Sequence, residues 1–215
     1  DVLRTRRPML HLVRGSLLLA GSLLLFTALK YMPIGEFTAI MMLAPLVVTL
    51  LAGLFFNEQV SVLRWLLVIG GFAGTMVIIR PGGEAFSAAY LLPLAQVACL
   101  AAYQLLTSHM ARLERPLTTH LYTGWVGALL LAPVLPLAWT ALPSVWLWVV
   151  LGVMGVLGAV GHMLLVLAYQ RAPASTLMPY MYVQIAFAMV GGWIAFGHVP
   201  DGWSALGMAM IALCG

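Results

Sequence analysis

Polar side chains recur at helical spacing inside the most apolar stretches of this chain. Residues three, four and seven apart lie on one face of a helix. By that rule Gln96, Tyr103 and Thr107 share a face, and Gly155, His162 and Tyr169 share another. Thr176, Tyr180 and Gln184 form a third stripe, and Thr38, Pro45 and Thr49 a fourth. Trp125 lies near the start of its own apolar segment. Amides, phenols, an indole and an imidazole in such places suit hydrogen bonding and stacking with a small molecule. The expectation is one amphiphilic pocket built from Gln96, Tyr103, Trp125, His162, Tyr180 and Gln184. The other reading keeps the glutamines as hydrogen bonds between helices, His162 as a neutral imidazole on a carbonyl, and the tyrosines as packing or interfacial anchors.

Proton or ion coupling needs a titratable group, and Glu36 and His162 are the obvious candidates. Glu36 also fits a plainer role at a helix start, where a carboxylate favours the positive end of the dipole. Catalysis has less to stand on. The six acids, Asp1, Glu36, Glu58, Glu84, Glu114 and Asp201, are scattered along the chain. Cys99 and Cys214 are far apart and lack metal-ligand spacing, so neither a metal nor a cofactor is expected. No phosphate-cradling G-x-x-x-x-G-K segment is present. An intramembrane enzyme acting on a lipid or prenyl substrate is the alternative, and it would need folding to unite those acids.

The elements that must position these residues follow from composition. The 215 residues are 63% hydrophobic and only 7% charged, with a mean hydropathy of +1.05. Soluble domains carry about 25% charged residues, so lipid is the expected solvent. Eight apolar segments read as membrane helices: Leu12–Lys30, Glu36–Phe56, Val62–Ile79, Ala88–Ser108, His120–Trp139, Val145–Ala168, Ala174–Phe196, and one starting near Gly202. On one set of helix ends lie Arg4, Arg6, Arg7, Arg14, Arg64, Arg112, Arg115 and Arg171, while only Lys30 and Arg80 fall on the other. Cytoplasmic loops carry the positive charge, which assigns the first set to the inside of an inner membrane. A small-molecule substrate and the bilayer are the expected partners, a homodimer is one assembly left open, and nucleic acid is not expected.

The segment from Ala28 aligns with that from Ala168 at an offset of 140 residues, with Pro33 on Pro173 and Phe56 on Phe196. The first three helices therefore resemble the last three. Five crossings separate the copies, so they should run through the membrane in opposite senses, a recurrent plan in secondary transporters. A five-helix unit predicts an inverted repeat and a ten-helix parent whose first two helices precede this chain. Residues 1–81 would be the last three helices of the first repeat, and 88–215 the second repeat. Pro45 and Pro179 are expected to bend long helices. Gly152, Gly155, Gly158 and Gly161 are expected to serve close helix packing.

The stretch "ALKYMPIGEFTAIMMLAPLVVTLLAGLFFNEQVSVLRWLLVIGGFAGTMVIIRPG" resembles the first-half signature of EamA-type members of the drug/metabolite transporter superfamily. The resemblance rests on Pro33, Pro45, Glu58 and the Gly70, Gly71 and Gly74 cluster. A second-half form follows in "LAYQRAPASTLMPYMYVQIAFAMVGGWIAFGHVPDGWSALG", where His198 takes the position of Glu58. The resemblance implies an all-α, polytopic carrier of small metabolites with cytoplasmic termini, working by alternating access.

Overall fold

The computed structural model describes residues 4–32, 34–56, 58–79, 88–197 and 201–214. Pro33, His198 and the Glu36 side chain lie outside the described residues. Every expected apolar segment is helical, and no strand occurs among the described residues. The helices are α1 (Pro8–Ala28), α2 (Ile34–Met41), α3 (Ala44–Phe55), α4 (Val62–Ile79), α5 (Leu91–Ala111), α6 (Pro116–Leu131), α7 (Leu135–Ala138), α8 (Val145–Arg171), α9 (Ala174–Leu177), α10 (Val183–Phe196) and α11 (Gly202–Cys214). Short 3-10 turns at Ala88–Tyr90 and Pro179–Tyr182 join them. Among the described residues, four stretches are long and apolar enough to cross a membrane: Pro8–Ala28, Phe37–Phe55, Ala88–Ala111 and Val145–Arg171.

Three of the expected segments are interrupted, and proline is the cause each time. Pro45 has no N–H to continue the helix. The chain tightens just before it, where Leu43 N–H donates to Ile40 C=O, and it restarts as α3. Pro179 opens the 3-10 turn that divides α9 from α10. The third break, between α6 and α7 around Pro133, was not expected from the sequence.

The chain packs as two compact units, residues 1–19 with 106–172, and residues 20–105 with 173–215. Each mixes residues from both sequence halves. In the first unit α6 packs on α8. Arg14, counted above with the basic helix ends, is instead fully buried within α1. Its guanidinium donates to Thr107 Oγ1 at 3.3 Å, and to Thr119 C=O and Thr123 Oγ1, tying α1 to α5 and α6. His11 stacks on Tyr122 with ring centroids 4.6 Å apart. Gln170 Nε2 donates to Ala111 C=O at 3.1 Å, which closes the end of α5. The glycine series on α8 does not serve packing among the described residues: a Cβ at Gly152, Gly155, Gly158 or Gly161 would meet nothing within 4 Å.

In the second unit α4 packs along α11, the 179–182 turn touches both, α10 packs on α11, and α9 packs on α3. Glycine permits the approach. A Cβ on Gly74 would come within 3.0 Å of Gly207 C=O, and one on Gly71 would fall inside the Tyr182 ring. Ser61 caps the start of α4 by accepting from Arg64 N–H at 3.3 Å. Glu58 reaches across to α9, where its two carboxylate oxygens accept from Ala174 N–H at 3.2 Å and Ser175 N–H at 3.0 Å. Gly197, at φ +70, ends α10 in the left-handed conformation that glycine adopts without steric penalty.

Candidate functional site

The interrupted helices border a cavity. It lies wholly within the second unit and measures about 360 Å³. Phe37, Thr38 and Met41 come to it from α2, and Met42, Ala44 and Pro45 from the break and the start of α3. Leu100 and Gln104 come from α5, and Met181, Gln184, Ile185 and Ala188 from the turn and α10. Most of this wall is hydrocarbon and sulfur, with two carboxamides and a hydroxyl set into it. None of the described lining residues is charged.

Sequence and local chemistry explain how the wall is held. Tyr182 is fully buried, and its hydroxyl donates to Met42 C=O at 3.1 Å. That carbonyl sits at the helix break ahead of Pro45, where regular pairing is disturbed. The bond therefore braces one helix discontinuity against the other. Gln184 is exposed, with Nε2 3.9 Å from the Met42 sulfur. Thr38 donates to Ile34 C=O at 2.7 Å, which leaves its oxygen lone pairs for the cavity. Gln104 is 3% exposed, and its Oε1 is buried without a hydrogen-bond partner. A buried acceptor left this way costs about 1–3 kcal/mol.

Of the residues singled out above, Gln184, Thr38 and Pro45 line this cavity. Gln96 stands on α5 one turn before Leu100, next to Gly21, and its Oε1 is buried without a partner. Tyr103 is buried on α5 but does not line the cavity, and Tyr180 is 57% exposed. Trp125, also 57% exposed, and His162, half-buried, belong to the first unit. Gln104 was missed because the face of α5 was drawn from Gln96 to Tyr103 by the seven-residue rule. The lining face is the one marked by steps of four, through Leu100 to Gln104. The methionines carried no separate signal, since sulfur in an apolar run reads as core.

Met41 and Met181, Ala44 and Gln184, and Pro45 and Ile185 are three lining pairs, each 140 residues apart. That is the offset of the sequence repeat. Met42 and Tyr182, joined by the hydrogen bond, stand at the same separation. Three lining pairs thus stand at the offset expected for the repeat, and α5 closes a side.

Comparison with known proteins bears on what such a cavity holds. The model of the EamA-like transporter family matches residues 3–80 and again residues 87–214. A riboflavin transporter of Vibrio cholerae serotype O1 is 33% identical over 216 residues, covering 98% of this chain and 71% of that protein. An S-adenosylmethionine uptake transporter of Rickettsia conorii is 26% identical, covering 94% of this chain and 68% of that protein. A solved crystal structure superposes with a TM-score of 0.84 at 22% identity, over 99% of this chain and 77% of the other, which bears on the fold alone.

Proposed function

This chain belongs to the EamA-like transporter family, and from that premise we propose that its cavity holds a flat, uncharged heteroaromatic metabolite, with riboflavin the first to test. The protein is a multi-pass inner-membrane transporter of a small metabolite and not an enzyme. The cargo is the finer reading, and the lining chemistry supports it. Pockets of about 300–1,000 Å³ suit small ligands, and this one falls at the low end of that range. Phe37 and the sulfurs of Met41, Met42 and Met181 suit the face of an aromatic ring. Carboxamides carry both a donor and an acceptor, so Gln104 and Gln184 match the edge of a ring that does the same, as the isoalloxazine imide does. A cationic cargo such as a sulfonium would leave its charge without a counter-ion among the described lining residues.

The single observation that carries this reading is the uncharged wall of the cavity, in which one aromatic ring and three thioethers surround the carboxamide residues Gln104 and Gln184. Gln96, Tyr103, Tyr180, Trp125 and His162 are proposed to act along the route or in the opposite-facing state, with Glu36 and His162 retained as coupling groups. Alternating access is proposed as the mode of movement. The paired lining positions 140 residues apart support two inverted halves that share one site.

The test is uptake and efflux by vesicles holding the protein, with labelled riboflavin and S-adenosylmethionine offered separately. Riboflavin transport that Gln104→Leu weakens is the expected result. Transport of S-adenosylmethionine alone would overturn the uncharged cargo while leaving the carrier intact.

A further inference from the structure

The first unit carries a second cavity, of about 540 Å³, that the transport reading does not use. Arg4, Arg6, Arg7, Arg115, Glu114 and Thr118 line it. The lining holds four arginines and one glutamate. The carboxylate has a different task. Glu114 Oε1 accepts from Thr5 Oγ1 at 2.8 Å and from Arg6 N–H at 3.2 Å. Thr5 Oγ1 in turn accepts from Arg7 N–H at 3.0 Å. Glu114 thereby folds residues 5–7 back against the turn that precedes α6. The arginines are gathered by backbone and hydroxyl contacts to one acid, so their clustering is built into the fold.

The geometry points to a site for a phosphate ester, and we propose that the group it takes is the phosphate of an acidic phospholipid headgroup or of a soluble phosphoester. A planar guanidinium offers paired donors matched to phosphate oxygens, and several of them around one space suit a tetrahedral anion better than a planar carboxylate. Thr118, in the first turn of the sixteen-residue α6, adds the positive end of a helix to the same space. Position favours the lipid source. Residues 4–7 directly precede α1, which is apolar enough to cross the membrane, so the cleft falls at headgroup depth. Basic clusters beside a membrane span on the cytoplasmic face bind acidic lipids, and the arginine distribution assigns this face to the cytoplasm.

The experiment measures lipid binding by native mass spectrometry of the purified, full-length protein, comparing phosphatidylglycerol with phosphatidylcholine of the same chain length. The wild type should prefer phosphatidylglycerol, and the double substitution Arg6→Ala with Arg115→Ala should reduce that preference by roughly tenfold or more. These side chains are exposed, and the Arg6 backbone N–H that holds Glu114 is untouched, so folding should survive. Arg112→Ala with Arg171→Ala, two exposed arginines outside the cleft, removes the same charge and should leave the preference largely intact. Inorganic phosphate then separates the sources. Displacement of the lipid by millimolar phosphate assigns the site to a soluble phosphoester, and resistance assigns it to the headgroup. Equal affinity for both lipids in the wild type, or equal loss in both double variants, would overturn the proposal.

Discussion

Gln104 lines the cavity and is almost fully buried, with an oxygen that has no hydrogen-bond partner. Gln104→Leu keeps the volume and removes both donor and acceptor. It should raise KM for the cargo roughly three- to tenfold with little loss of folded protein, since one net hydrogen bond contributes about 0.5–1.5 kcal/mol. Vesicle uptake beside a thermal melt separates the two effects. Arg14 behaves differently. Its partners include threonine oxygens on two other helices, so Arg14→Ala leaves buried acceptors behind and should destabilise the protein by about 1–3 kcal/mol. Arg14→Lys keeps the charge but loses the planar fork, and should recover only part of that in a chemical-denaturation or melting assay.

At the scale of elements, the contacts that matter join stretches far apart in the chain. Glu58 holds the first turn of α9 by both oxygens, and Arg64 Nη1 adds a contact to Ser175 Oγ at 3.4 Å. Glu58→Ala should lower stability by about 1–3 kcal/mol, and Glu58→Gln, which retains one acceptor, by less. Gly71→Ala drives a methyl into the buried Tyr182 ring and should cost about 1–3 kcal/mol while weakening the brace on Met42. Reading these elements from sequence succeeded where periodicity and proline dominate: the eight helical segments, and the bends at Pro45 and Pro179. It failed where a partner decides. Nothing local to Glu58 distinguishes a cap on the adjacent α4 from one on distant α9. The face of α5 depended on a neighbour's position, and a one-residue error there turned the prediction from Gln104 to Tyr103. The α8 glycines show the same limit, because spacing signals that a close approach is permitted without supplying the helix that makes it.

At the scale of the molecule, the proposed inverted arrangement has a direct test. Reporter tags placed just before α1, near Arg7, and just before α8, near Ser144, should be accessible from opposite sides of the membrane. Tags reached from the same side would remove the inverted repeat and the alternating motion built on it. The family assignment would stand, because it rests on matches at residues 3–80 and 87–214 and not on orientation.

Tyr182 and Met42 stand 140 residues apart, the offset of the proposed repeat, yet only one of them bears a hydroxyl. Were the halves to trade shapes as the gate reverses, methionine would stand where the phenol stood, and no bond could form in its mirror image. The two resting orientations of the proposed cycle would then differ in energy by about 0.5–1.5 kcal/mol from this contact alone. Tyr182→Phe should level them, seen as a redistribution of cysteine labelling between the inward- and outward-facing mouths. A carrier tilted in this way would idle facing one compartment and wait for cargo there.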